Sequence, residues 1–152
     1  MKKRVREVIL ALFIIYCSLL AVILFLRNGR DLSVGFSDLD TRLNLVPFKT
    51  IRNYMKALEI GNVSETVVRN NLIGNFLLFL PMGYFLPIIT KARNFLLIEI
   101  KVLILIVLVE VIQLITGLGS FDIDDIILNL TGSIIGYVIF SITNKFIKKT
   151  DR

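Results

Sequence analysis

Residues 110–136 read Glu110-Val-Ile-Gln-Leu-Ile-Thr-Gly-Leu-Gly-Ser-Phe-Asp-Ile-Asp-Asp-Ile-Ile-Leu-Asn-Leu-Thr-Gly-Ser-Ile-Ile-Gly136. This stretch joins two long apolar runs through a short acidic turn, and it carries polar side chains inside both runs. The polar positions are Glu110, Gln113, Asp122, Asp124, Asp125 and Asn129. Polar side chains deep in an apolar segment cost free energy, so their presence indicates a site.

The rest of the chain is equally apolar. Its 152 residues are 55% hydrophobic with a mean hydropathy of +0.78, above the norm for soluble domains. Four runs approach or reach the roughly 17–25 residues that cross a bilayer as a helix. They are Val8–Leu26, Leu72–Ile89, Phe95–Ile115 and Ile126–Ile142. We therefore predict an all-α membrane protein, a single domain over 1–152 that forms a four-transmembrane-helix bundle.

Basic residues at the ends of these runs predict the topology. Both terminal segments and the link between the second and third runs are basic, whereas the turn before the fourth run has no Lys or Arg. Both termini are therefore predicted to be cytoplasmic. The predicted outer loop 27–71 holds seven basic and five acidic residues, and its length makes that charge less informative. Because the net charge of +6 lies largely at segment ends, it does not indicate nucleic-acid binding.

The composition excludes several kinds of site. The chain has no His, which removes Ser-His-Asp and Cys-His catalysis and every His-ligated metal site. Its one cysteine, Cys17, lies in the first apolar run and is expected to act as a small packing residue. That run is longer than the core of a usual signal peptide and lacks a small-residue cleavage site, so we predict a retained first span.

The outer loop contains a short amphipathic segment, Pro47–Ile60. Pro47 suits a first helical turn and Gly61 suits a position just past the end. Its apolar residues share one face, which consists of Phe48, Ile51, Met55 and Leu58. Its basic residues share another face, which consists of Lys49, Arg52 and Lys56. The helix would either lie in the outer interface, where Lys49 and Arg52 would bind anionic groups, or form a solvated lid on the bundle.

The polar residues of the runs are predicted to gather in one leaflet. Glu110 would lie roughly 8 Å below the outer surface, whereas Glu99 and Lys101 lie near the cytoplasmic end and are expected to extend to that surface. Asn71 and Asn75 are four residues apart and share a face near the outer end of the second run. The predicted site residues on these elements are Asn71, Asn75, Glu110, Gln113, Asp122, Asp124, Asp125 and Asn129.

Each of these residues also has a structural interpretation. Asp122 and Asp125 could cap the fourth helix. Asn75, Gln113 and Asn129 could be interhelical hydrogen-bond donors and acceptors, and Glu110 could be a neutral acid bonded to one of them. The stripe Gly132-x-x-x-Gly136 predicts close packing of the fourth helix.

Three classes of function fit this pattern. A pocket could bind the polar part of an envelope lipid or lipid-like molecule. An enzyme could use Glu110 as acid or base, with Asp122, Asp124 and Asp125 holding a divalent metal such as Mg²⁺ through oxygen ligands. A non-catalytic scaffold would depend on the glycine stripe and not on the polar residues. No other cofactor is indicated, and the oligomeric state is left open.

Three blocks of the chain resemble the VanZ-like family of bacterial membrane proteins. They read Asn44-Leu-Val-Pro47-Phe48; Asn71-Leu-Ile-Gly74-Asn75 with Phe79-Leu-Pro81-Met-Gly83 and Pro87; and Glu110-Val-Ile-Gln113 with Phe121-Asp122-Ile-Asp124-Asp125-Ile-Ile-Leu-Asn129-Leu-Thr-Gly132. Their order and spacing together, over most of 44–136, carry the resemblance.

This resemblance implies a protein of the bacterial cytoplasmic membrane that is associated with resistance to teicoplanin-type glycopeptide antibiotics. It implies membrane lipids or lipid-linked cell-wall precursors as partners, and it does not establish an enzyme. Family members often have Arg shortly before the Asp cluster, where this chain has Gly117-Leu-Gly-Ser120. If that Arg pairs with an acid or a phosphate, its role is either missing here or taken over by Lys49 or Arg52.

Overall fold

The computed structural model describes residues 3–26 and 42–150, with side chains described over 4–25 and 42–147. The described residues form five helices: α1 (Lys3–Leu26), α2 (Lys49–Glu59), α3 (Glu65–Thr90), α4 (Phe95–Thr116) and α5 (Ile123–Thr150). Two strands of two residues, β1 (Leu43–Asn44) and β2 (Phe121–Asp122), pair in parallel. The all-helical prediction is confirmed, with this short ladder added. Residues 27–41 of the predicted outer loop lie outside the described residues.

Three of the four predicted spans are confirmed as helices long and apolar enough to cross a membrane, namely α1, α3 and α5. α4 is also long and apolar, but it differs from these three helices in its charge. Any 18 consecutive residues of α4 include three charged side chains, those of Glu99, Lys101 and Glu110. α3 begins seven residues before the predicted run because Ser64 caps it, its hydroxyl accepting the N–H of Val67. α5 likewise continues past the predicted end at Ile142.

The closest helix pair is α3 and α5, and small residues make it possible. A Cβ atom added at Gly132 would overlap the carbonyl oxygen of Phe76, and one at Gly136 would overlap that of Leu80. On the facing helix, a Cβ at Gly83 would overlap the carbonyl of Ser133. The backbones therefore touch along this seam, as the glycine stripe predicts.

A compact core joins α1, α3 and α4. Its buried members are Leu20, Phe79, Met82, Ile98, Val102 and Ile106. The last three recur at every fourth position of α4, so they lie on one helical face. Glu110 extends the same face by one more turn. The face of α4 that packs against the core therefore ends in the buried carboxylate of Glu110, close to the turn that leads into α5.

Glu99 also lies on the buried side of α4, so the prediction that it extends to the membrane surface is wrong. The residue is 6% exposed, and neither carboxylate oxygen has a hydrogen-bond partner among the described residues. Lys101, two positions later, is exposed. The rotation of α4 thus turns one charged residue into the bundle and its neighbour out of it.

The amphipathic helix α2 is confirmed, starting two residues after Pro47. It packs against α3 and α5, as a lid would, yet none of its residues is buried. Phe48 and Met55 remain largely exposed. α2 is therefore attached to the bundle, as the lid arrangement requires, and its position in the outer interface stays a prediction.

Candidate functional site

The acidic turn begins with Asp122, which caps α5. Its Oδ1 accepts the backbone N–H of Asp124 at 2.9 Å, the contact that an N-cap side chain makes with the second helical residue. The same carboxylate accepts the amide of Asn44 at 3.0 Å and the hydroxyl of Thr50. Capping is thus confirmed for Asp122, and both of its oxygens are engaged.

Asp124 is fully buried and caps a different helix. Its two oxygens accept the backbone N–H groups of Phe48, of Thr50 at 2.8 Å and of Ile51 at 3.1 Å. These groups form the start of α2, where Phe48 has a left-handed backbone (φ 63°) and no cap from its own side chain. A carboxylate at a helix N-terminus satisfies free donors and the helix dipole together. Asp124 therefore fixes α2 to the bundle.

A basic side chain does reach this turn, but it comes from Arg42. Its guanidinium donates to the carbonyl of Gln113 at 3.3 Å and to the carbonyl of Gly119. α4 ends here because Gly117 takes the left-handed conformation (φ 75°) that closes a helix. A cation at a helix C-terminus is favourable. Arg42 therefore supplies a cation at this end of α4, and the expectation that Lys49 or Arg52 takes the role of the missing Arg stays a prediction.

Beside the turn, a cleft of about 70 Å³ opens among α1, α3, α4 and α5. Its apolar wall consists of Ile23, Leu24 and Leu78. Its polar wall consists of Asn71, Asn75, Glu110, Gln113, Asp125 and Asn129. All six polar residues are among those that span order and spacing predicted to gather at one end of the bundle.

The cleft is held by contacts between helices. Asn75 of α3 donates its amide to Oδ1 of Asp125 on α5. Gln113 of α4 donates to the Leu24 carbonyl of α1 at 2.8 Å. The structural interpretation is thus confirmed for Asn75 and Gln113, although both side chains also line the cleft.

Two buried acceptors of the cleft are incompletely paired. Glu110 is 3% exposed, and its Oε2 accepts the backbone N–H of Asp122 at 3.2 Å, so it is bonded neither to Gln113 nor to Asn129 as expected. Asn129 is also buried, and its Oδ1 has no partner among the described residues. Buried polar groups are nearly always hydrogen-bonded, so the unpaired Oδ1 of Asn129 is the exception among the described residues that line the cleft.

Four predicted site residues lie outside the cleft. Lys49 and Arg52 are exposed on α2, and Arg52 donates locally to the Phe48 carbonyl at 3.1 Å. Asp122 and Asp124 instead accept hydrogen bonds from residues between Asn44 and Ile51. The predicted metal set of Asp122, Asp124 and Asp125 is not assembled, and the described chain contains no group of three or more His, Cys, Asp or Glu that could hold a metal ion. The physical reason is that backbone and side-chain donors occupy the first two carboxylates.

Two comparisons with known proteins find similar sequences. The sequence profile of the VanZ/LLP1 family matches residues 13–144. Protein VanZ of Enterococcus faecium is 32% identical to this chain over 146 residues, which are 95% of this chain and 80% of that protein. No solved structure matches the chain. The matched region contains the turn, the glycine seam and every residue that lines the cleft.

Proposed function

This chain belongs to the VanZ/LLP1 family, and from that premise we propose that its cleft binds the polar part of an envelope lipid or lipid-like molecule. Binding there would lower the action of teicoplanin-type glycopeptide antibiotics on the cell. The observation that carries the proposal is the convergence of six polar side chains from three helices on one cleft beside an apolar wall. Ligand sites commonly combine such a wall with a few convergent polar groups.

The proposal takes α4 as the fourth span. Its 22 residues extend about 33 Å, enough for a hydrocarbon core of about 30 Å. Glu99 and Glu110 face the interior, where intramembrane acids usually lie. Lys101 is near the helix start and can reach the polar interface. The three ionisable residues are thus compatible with a spanning helix.

The distribution of basic residues supports an outer-leaflet position for the cleft. The link between α3 and α4 carries Lys91 and Arg93, whereas the turn between α4 and α5 carries no Lys or Arg. With the link on the cytoplasmic side, the cleft opens at the outer surface. Glycopeptides with a fatty chain act on lipid-linked wall precursors at that surface, so a lipid site there is suitably placed to interfere.

Substitution in the cleft tests the proposal. The full chain is expressed in a glycopeptide-susceptible host, and teicoplanin susceptibility is measured for the wild type, Glu110→Gln and Asp125→Asn. We expect both variants to return the host to the susceptibility of the empty-vector strain while membrane levels of the protein stay unchanged. Glu59→Gln is the matched control, because Glu59 is exposed on α2 and lies outside the cleft.

Full resistance in both cleft variants would overturn the proposal. If those variants were silent while substitutions at Gly132 or Gly136 abolished resistance at normal protein levels, the chain would act as a scaffold through the α3–α5 seam. The two patterns are distinct because the glycines contact backbone of α3 and do not line the cleft.

A further inference from the structure

We propose that residues 45–48 insert into the lipid leaflet at the cleft end of the bundle, with Lys49 and Arg52 bound to anionic head groups beside them. These residues, Leu45-Val-Pro-Phe48, form an apolar loop between β1 and α2. Such insertion requires only that the chain spans a bilayer. It is therefore independent of what the cleft binds and of which end of the bundle faces outward.

The apolar loop consists of four consecutive residues that the described chain leaves uncovered. Leu45 is 61% exposed, Val46 52% and Phe48 55%, and Pro47 is exposed as well. Most other exposed apolar side chains of the described residues belong to the long helices, where lipid would cover them. A run of exposed apolar residues in a loop marks a surface that contacts a partner or a membrane.

The apolar loop is held level with the apolar part of the spans. The N–H of Phe48 donates to Asp124, and the neighbouring Asp125 accepts the amide of Asn75 on α3. Asn75 lies three residues, or about 4.5 Å, inside the apolar run of α3 that begins at Leu72. The loop therefore lies at the depth where the hydrocarbon of a bilayer begins, so lipid is the surface that reaches it.

The backbone of the loop presents Phe48 at a conformational cost. Lys49 donates its backbone N–H to the Val46 carbonyl at 3.3 Å, which closes a turn with Pro47 second and Phe48 third. Phe48 has φ 63° and ψ 9°, the third-position conformation of a type II turn, where Gly or Asn is usual. A bulky residue is disfavoured there, and its exposure means that little buried area offsets the cost. Insertion into lipid would bury the ring.

Both ends of the apolar loop are fixed to the acidic turn. Before the loop, Asn44 pairs with Asp122 in the strand register and donates its amide to that carboxylate at 3.0 Å. After the loop, Thr50 donates its N–H to Asp124 at 2.8 Å. The loop is thus preorganised, so its insertion does not need to order the chain on either side.

Basic side chains lie where anionic head groups would meet the loop. Lys49 and Arg52 are in the first turn of α2, directly after the loop, and both are exposed. Ile51 and Leu58, on the other side of α2, are half-buried where this helix packs on the bundle. The basic side therefore faces away from the protein. Basic residues beside an apolar anchor are typical of surfaces that bind anionic membranes.

A single Trp measures the depth of the loop, because the chain has none of its own. The full chain with Leu45→Trp or Phe48→Trp is reconstituted into nanodiscs of equal parts phosphatidylcholine and phosphatidylglycerol. Trp emission is compared with that in discs whose acyl chains carry bromine, a short-range quencher. We expect bromine to quench both variants by more than half.

Asn62→Trp is the matched control for depth. Asn62 is exposed and precedes Glu65, which itself lies about 10 Å before Leu72 along α3. This position is outside the apolar runs, so we expect bromine to quench its Trp by less than one tenth.

The same discs test the role of the basic side chains. Bromine is placed on phosphatidylglycerol alone and then on phosphatidylcholine alone, at the same lipid composition. We expect brominated phosphatidylglycerol to quench Leu45→Trp at least two-fold more strongly. Joint substitution of Lys49→Gln and Arg52→Gln should make the two lipids equal. Lys101→Gln should preserve the difference, because Lys101 is an exposed cation near the opposite end of α4.

Quenching of both loop variants that is no stronger than that of Asn62→Trp would overturn the insertion. Blue-shifted emission without bromine quenching would overturn it too, since protein would then cover the loop, either another segment of this chain or a second copy. Equal quenching by the two brominated lipids, or a preference that survives the joint substitution, would overturn the binding of anionic head groups at Lys49 and Arg52.

Discussion

Asp124 accepts the backbone N–H of Thr50 at 2.8 Å, a contact between residues 74 positions apart in the chain. The next residue, Asp125, lines the cleft. Two adjacent carboxylates in one turn of α5 thus have different surroundings: Asp124 holds α2 in place, and Asp125 lines the cleft and accepts the amide of Asn75. Because the two carboxylates point to different partners, the acidic turn can hold the fold together without forming a metal site.

Asp124→Asn should loosen α2 more than it disturbs the bundle. The Asn amide would place a donor where three backbone N–H groups need an acceptor, and hydrogen bonds to charged groups contribute roughly 1.5–3 kcal/mol each. We expect the variant to lose about 2–3 kcal/mol of unfolding free energy. Trypsin should also cleave faster at the basic residues of α2. Thermal unfolding and limited proteolysis in detergent check this, with Glu59→Gln as the control. Unchanged proteolysis would show that other contacts suffice to hold α2.

Arg42 is predicted to stabilise the end of α4. Arg42→Ala removes a cation from a helix C-terminus and leaves the carbonyls of Gln113 and Gly119 without this donor. The expected loss is about 1–2 kcal/mol of unfolding free energy. Arg42→Lys should retain part of it, because Lys keeps the charge but lacks the planar fork that reaches two carbonyls. Thermal unfolding of both variants tests this prediction. If Arg42→Ala had the same melting temperature as the wild type, Arg42 would not stabilise the end of α4.

The α3–α5 seam should tolerate no side chain at its glycines. In Gly132→Ala the new Cβ would overlap the Phe76 carbonyl, so the two helices must separate. Forced separation of tightly packed elements typically destabilises by about 1–3 kcal/mol. Val138→Leu enlarges an exposed side chain of the same helix and should change little. The measurement is thermal unfolding in detergent, and a Gly132→Ala variant as stable as the wild type would mean that the seam can shift without loss.

Substitution of Glu99 is expected to raise the free energy of unfolding, whereas the substitutions above lower it. Its carboxylate is buried near the Ser133 hydroxyl, and neither the two carboxylate oxygens nor that hydroxyl has a hydrogen-bond partner among the described residues. Glu99→Met keeps an unbranched chain of similar length and removes the unsatisfied polar group. We expect a gain of about 1–3 kcal/mol in unfolding free energy, since that is the penalty of such a group. Lys101→Met, at the exposed neighbour, is the matched control and should be near neutral. Destabilisation by Glu99→Met would indicate that Glu99 is paired in the folded protein, with the Ser133 hydroxyl as the nearest candidate.

Short-range patterns in the sequence predict much of this molecule. Apolar runs locate the four long helices, and because consecutive antiparallel helices return to the same end, the chain order brings Asn75, Glu110 and Asn129 together. The rotation of α4 could not be predicted in this way. The helix is apolar nearly all round, so hydropathy gives no signal that Glu99 faces inward and Lys101 outward.

The contacts that residues 42–51 make with the acidic turn could not be predicted from the sequence either. Arg42 and Thr50 meet the acidic turn across more than 70 residues, and no periodicity specifies which backbone donors a carboxylate will find at that distance. Asp124 has no feature in the sequence that separates it from Asp125. The difference arises from the direction in which each side chain leaves the first turn of α5.

Orientation in the membrane gives the last prediction. The basic link at Lys91 and the turn at Ser120, which has no Lys or Arg, lie at opposite ends of α4, so they must face opposite sides of a bilayer that α4 spans. In a Cys17→Ser background, Ser120→Cys should react with a membrane-impermeant maleimide added to intact cells, whereas Lys91→Cys should react only after permeabilisation. Both positions are exposed, so unequal burial cannot explain a difference. Labelling of Lys91→Cys but not Ser120→Cys from outside would place the cleft at the inner leaflet, away from the surface where glycopeptides act.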